Sequence, residues 1–198
     1  MTRASLPLRI MLAFVLPGLL CSGACRPASP GKQSFEAYEE NAPKFKALLP
    51  QWSKLVGAAE EKNFQERPIA PLKGKVLFLG REYTSTLPKV DPVELHFKNR
   101  NDDLHEARLI ASSPEEVSAL VFVHTLLDQV KLYEGGATYS SHKFHIFVVD
   151  AASGEVMGST ELKVDKFDPP SSVKGTGVTL YPYEQLDKFI ESLASRKG

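Results

Sequence analysis

Apolar residues recur every three or four positions across residues 33–62. Phe35, Tyr38, Ala42, Phe45, Leu49, Trp52, Val56 and Ala59 form one stripe, which predicts an amphipathic helix. Pro43 and Pro50 interrupt it, so kinks or two shorter helices are expected there. The face carrying Glu36, Glu39, Glu40, Lys44 and Lys46 reads as solvated. Residues 63–73 turn polar and contain prolines, the signature of a linker.

From Lys75 the period shortens to two. The run Val76-Leu77-Phe78-Leu79 predicts a strand buried on both faces, and Val93, Leu95 and Phe97 alternate as a second strand. Asn99-Arg100-Asn101-Asp102-Asp103 reads as a polar turn and 108–111 as a further strand. Ser113-Pro114-Glu115-Glu116 has the capping residue, proline and acids of a single helical turn. Four strand-like runs follow at 119–127, 129–134, 139–150 and 155–164. Ala151-Ala152-Ser153-Gly154 joins the last two as a hairpin loop, with glycine where a positive φ is needed. In the final run Val156, Thr160, Leu162 and Val164 alternate with Ser159, Glu161 and Lys163, which predicts one wet face. A loop over 168–177 then leads to a terminal helix across 182–195, with Leu186, Phe189, Ile190 and Leu193 facing inward. The expected fold is α+β: a mainly antiparallel sheet (74–165) with N-terminal and C-terminal helices packed on it, in one domain spanning 33–198.

The first 24 residues follow a different logic. Arg3 and Arg9 precede the apolar run Ile10–Leu16 and Leu19-Leu20, about half of the ~20 residues a membrane span requires, so the segment reads as an export signal. Ser22 and Ala24 suit ordinary signal peptidase. The stretch Gly23-Ala24-Cys25 also resembles a bacterial lipobox, although Ser22 stands where leucine is favoured. Cys21 lies within the signal, which leaves Cys25 as the sole cysteine of the mature chain, with no internal disulfide partner. That favours Cys25 as a lipid-attachment site. The Pro-, Gly- and Ser-rich residues 25–32 then form a tether, and Arg26 in place of aspartate leans toward the outer membrane.

Charge narrows the function classes. The whole chain has 24 basic and 24 acidic residues, and loss of Arg3 and Arg9 leaves 22 against 24. No basic cluster stands out, which argues against nucleic-acid binding. His142 and His145 lie three apart in a period-two run and so face opposite sides of a sheet, which argues against a shared metal. His145 reads as a partly buried sheet histidine and His142 as lying at a strand entrance. His96 shares a strand with apolar neighbours, His105 lies near a loop and His124 alternates with Phe122.

No serine sits in a G-x-S-x-G elbow, and Ser140-Ser141-His142 reads as solvated turn serines. Lys174-Gly175-Thr176-Gly177 lacks the ending of a phosphate loop, and the pairs Asp102-Asp103 and Asp165/Asp168 fall in polar loops. No cofactor or metal is expected. One segment offers a candidate ligand or partner contact. Tyr133, Gly135, Gly136 and Tyr139, with His142 nearby, make either a contacting loop or a hairpin turn whose tyrosines pack across strands.

The order of these features resembles a loosely defined set of uncharacterised bacterial proteins, many of them predicted to be exported or membrane-attached. The features that carry it run from Lys75–Leu79 through Ser113–Val117, Gly135–Tyr139 and the 148–156 hairpin to Pro169-Pro170 and Lys174–Gly177. The resemblance covers roughly residues 73–194 and implies a single exported domain, with no activity attached. Two functions are carried forward. The first is a lipid-anchored envelope protein with a non-enzymatic binding or structural domain, contacting the membrane through Cys25 and an envelope protein partner. The second is a small envelope hydrolase whose His and Asp residues are gathered by the fold.

Overall fold

In the computed structural model of the chain, residues 30–61, 64–82, 94–95 and 109–195 are described. The signal segment, Cys25, Val93, Phe97, the 99–103 turn, His96 and His105 lie outside the described residues.

Helix α1 runs unbroken from Pro30 to Glu60. Of the two outcomes expected at Pro43 and Pro50, division into two shorter helices does not occur. Both prolines sit on the exposed side, two turns apart, so the carbonyls of Glu39 and Lys46 that lose their helical donors open onto water rather than the core. The helix also takes in Pro30, Gly31 and Lys32 of the expected tether, with proline at its entrance. Tyr38, Phe45, Trp52, Val56 and Ala59 are buried, and Phe45 packs between Tyr38 and Trp52 with ring centroids at 5.0 and 6.3 Å.

Six strands form the described sheet: β1 (Lys75–Glu82), β2 (Glu94–Leu95), β3 (Val117–Leu132), β4 (Thr138–Asp150), β5 (Val156–Lys163) and β6 (Gly177–Leu180). Their order is β2-β1-β3-β4-β5, mostly antiparallel, with β1 parallel to β3. Helix α2 (Tyr183–Ser195) closes the fold. The α+β architecture is therefore as expected. Val76, Leu77, Phe78 and Leu79 are fully buried, as a strand covered on both faces requires. A 3-10 turn at Pro114–Glu116 precedes β3, and Gly154 turns the β4–β5 hairpin at φ 74°.

Three expectations change. The runs 119–127 and 129–134 are one strand, β3, carrying a bulge at Asp128 between Leu127 and Gln129. The 168–177 loop runs into a short strand, β6, which pairs parallel with β4 at Thr138–Ser141, ahead of the stretch that β5 occupies. Gly177 permits that approach, since a Cβ there would collide with the Thr138 backbone. The 63–73 linker is a strap along the outer edge of β5. Arg67 and Ser159 exchange both backbone hydrogen bonds at 2.9 and 3.1 Å, and Ala70 N–H donates to the Met157 carbonyl at 3.1 Å. Ser159 is therefore buried rather than wet, with its hydroxyl donating to the Gln65 carbonyl.

Strand alternation assigns the layers. Arg81 and His124 are register partners and both meet Glu60 of α1, while Phe144, one residue out of that row, packs on Tyr181 and Tyr183 at the entrance to α2. The two helical segments thus approach opposite faces of the sheet. A single cluster of buried residues includes both helices and β1, β3 and β4.

Candidate functional site

One row of side chains crosses the sheet on the α1 face. Arg81 of β1 pairs with His124 of β3, His124 with His145 of β4, and His145 with Glu161 of β5. The register therefore sets cation, imidazole, imidazole and carboxylate side by side, each on its own strand. All four side chains are mostly shielded, at 13–21% exposure.

Two residues from the other layer cap the row. Glu60 ends α1, where its charge opposes the helix dipole and the last turn has no basic residue of its own. The sheet supplies the cations instead. Arg81 binds one carboxylate oxygen of Glu60, and His124 Nδ1 lies 2.6 Å from the other. Burial pushes the Glu60 pKa up, but the His124 and Arg81 contacts outweigh it and hold the group below its ordinary value. An ionised carboxylate only accepts hydrogen bonds, so His124 Nδ1 carries the proton. Phe64, at the start of the strap, stacks flat on His145 with centroids 3.9 Å apart and planes 16° from parallel.

At the β5 end, Glu161 accepts from Lys143 at 2.8 Å, His145 Nε2 at 2.9 Å and Lys163 at 2.8 Å. Partial burial raises its pKa, yet these three donors bring it down to about 2. Burial is also the main influence on His145, and it disfavours the imidazolium. Lys143 and His124 add to that effect, Glu161 opposes it, and the net pKa lies below the ordinary histidine value.

His124 Nε2, the nitrogen turned away from Glu60, is buried, so no substrate reaches it as it would a general base. A shallow groove of about 320 Å³ runs beside the strap between Arg67, Ile69, Thr160 and Phe189, and neither histidine lines it. Among the described residues no group of three or more His, Cys, Asp or Glu is placed to hold a metal ion. No helix there is long and apolar enough to cross a membrane.

The residues singled out from sequence fall into two places. Gly135 and Gly136 turn the β3–β4 hairpin at φ 90° and 86°. Tyr133 and Tyr139 pack against the 167–170 segment rather than each other. Tyr133 donates to the Pro170 carbonyl at 2.7 Å, and Tyr139 lies 5.4 Å from Phe167. His142 points to the opposite face and stacks on Tyr181 at 4.7 Å. It sits four residues into β4, not at its entrance, and Ser140 and Ser141 beside it are buried strand residues rather than solvated turn serines. Asp165 and Asp168 are exposed, as their loop suggests, and Asp168 pairs with Lys166. Asp102 and Asp103 lie outside the described residues.

Sequence reasoning missed the Arg81–His124–His145–Glu161 row because it depends on strand register. It also missed an exposed aliphatic row at the free end of β3, where Leu127, Val130 and Leu132 are 41%, 52% and 73% exposed. They stand opposite His142, Ser140 and Thr138, so the bulge at Asp128 brings all three to the face that carries Tyr181. Compared with known proteins, the chain matches no family, no curated protein and no solved structure.

Proposed function

We propose that the protein is an exported, lipid-anchored envelope protein whose α+β domain binds a partner and performs no catalysis. The anchor rests on the segment ending at Cys25, the sole cysteine left after the signal. Binding rests on the Leu127, Val130 and Leu132 row, since isolated surface leucines are ordinary but an aligned, protruding set is not.

Asn41 of α1 donates to the Ser112 carbonyl, ahead of β3, whereas Glu60 reaches His124 partway up that strand. The part of α1 around Asn41 therefore lies at the foot of the sheet. From His124 to Leu132 the strand climbs a further eight residues, roughly 26 Å, away from that foot. The exposed row at the hairpin and the Asn41 end of α1 thus lie toward opposite ends of β3, an arrangement that suits an N-terminal anchor with a partner held at the hairpin.

The hydrolase alternative draws support from His124, His145, Glu60 and Glu161 meeting on one face. It is weakened by the burial of His124 Nε2 and by Glu161 being taken up by two lysines and His145. Crosslinking in cells with Val130→Asp/Leu132→Asp tests the binding reading. Loss of one defined crosslinked species with unchanged folding supports it, and an unaltered set of adducts overturns it. The same preparations, assayed on a panel of ester and amide substrates, test the alternative through His124→Asn.

A further inference from the structure

Strand β3 outruns its neighbour. Its pairing with β1 ends at Glu82 and Thr125, while β3 itself continues to Leu132. Over residues 126–132 the strand is bonded to β4 on one side, and among the described residues nothing pairs with the other. That leaves an open edge of roughly 23 Å, on which about half of the residues turn both N–H and C=O outward. The same stretch holds Leu127, Val130 and Leu132, so backbone groups and aliphatic side chains are exposed together. Natural sheets guard an open edge with proline, a bulge or a lysine that projects across it. Strand β3 contains no proline, and Lys131 is drawn off to the Pro170 carbonyl and the Tyr133 ring, 3.1 and 4.9 Å away. The bulge at Asp128 is the guard that remains.

The segments that join β1, β2 and Leu109 are too short to cover this edge. Between Glu82 and Glu94 lie eleven residues, roughly 40 Å of extended chain. Reaching Leu132 from Thr125 and returning to the row of Gly80 takes roughly 50 Å. The thirteen residues between Leu95 and Leu109 start farther down the sheet and fall shorter still. Two copies joined antiparallel along the edge would point their Asn41 ends in opposite directions, which does not suit two anchors in one membrane.

We propose that β3 binds its partner by strand addition: an extended, uncharged segment of another envelope protein, apolar at alternate positions, pairs with residues 126–132. Its apolar side chains lie beside Leu127, Val130 and Leu132, and the open backbone edge supplies the hydrogen bonds. Asp128 and Lys131 carry opposite charges on this stretch, so a segment without net charge meets no repulsion. Strand addition rests on the binding reading above and specifies how the partner is held.

Fluorescence anisotropy on the purified full chain tests it with a labelled, capped peptide of alternating threonine and valine, matched in length to the edge. Two further forms are N-methylated, one at every valine and one at every threonine. Each keeps all side chains and loses the donors of one strand edge. The form methylated on the pairing edge should bind at least about ten-fold more weakly, from the loss of two or more backbone hydrogen bonds, while the other stays near the parent peptide. Bound parent peptide should also slow amide exchange across 126–132 and leave 119–123 unchanged. Equal affinities for the two methylated forms, or no binding of the parent peptide, would overturn strand addition. The crosslinks of the Val130→Asp/Leu132→Asp chain in cells judge the binding reading separately. A dimer in sedimentation that the same double variant dissociates would also overturn strand addition, by giving the edge to a second copy.

Discussion

Gly158 sits where β5 meets the strap, and replacing it by alanine tests whether the strap is a structural edge or a loosely draped linker. A Cβ built there stands 2.5 Å from Ile69 Cα and 2.8 Å from the Pro68 carbonyl oxygen. Both are backbone atoms, so no side chain can swing aside and the strap itself must move. Three backbone hydrogen bonds, and a fourth from the Ser159 hydroxyl, hold it in place. At a net ~1 kcal/mol each, their full loss would cost about 4 kcal/mol, whereas overpacking with partial relaxation costs about 1–3. Gly158→Ala should therefore destabilise by about 2–3 kcal/mol, a fall in Tm of about 4–12 °C for a chain of this size. Urea unfolding would show it as a lower midpoint at unchanged slope.

Gly57→Ala is the matched control. Its Cβ meets nothing within 4 Å, so the same substitution in α1 should be neutral or stabilising by up to ~1 kcal/mol. A Gly158→Ala protein within ~0.5 kcal/mol of the parent, or one no worse than Gly57→Ala, would refute the strap as a fixed edge of the sheet.

Other outcomes follow from single contacts. Phe45 is fully buried between Tyr38 and Trp52, so Phe45→Ala should cost about 3–5 kcal/mol in the same unfolding assay. Glu161 is held at about 2 against an ordinary 4.5, so its contribution is complete above about pH 4.5 and lost as pH falls toward 2. Glu161→Gln should flatten the stability profile across that window, and a retained slope would assign it to other carboxylates. Leu132→Asp, at a 73% exposed position, should shift stability by less than ~0.5 kcal/mol while it removes partner capture.

The periodic elements were legible in the sequence because burial on one side writes itself into spacing. The α1 and α2 stripes, the buried run of β1 and the Gly154 hairpin all appear where apolar period and turn residues place them. Elements defined by partners were not. Strand β6 is four residues long, too short to show alternation, and exists only through β4. Asp128 looked like a break between strands because a bulge interrupts the pattern without ending the pairing. The strap carries Pro68 and Pro71, which read as linker residues, yet its neighbours Arg67 and Ala70 supply the bonding. The histidine row was hidden for the same reason. Spacing separated His142 from His145 correctly, but only register brings His124 to His145.

The intact mass and N-terminal peptide of the protein recovered from membranes test most directly for the proposed lipid at Cys25. A chain beginning at Cys25 with a diacylglyceryl thioether is expected, together with a Cys25→Ser variant released from the membrane fraction. An unmodified Cys25 at the mature N-terminus, an uncleaved chain beginning at Met1, or a Cys25→Ser variant still held by the membrane would contradict it.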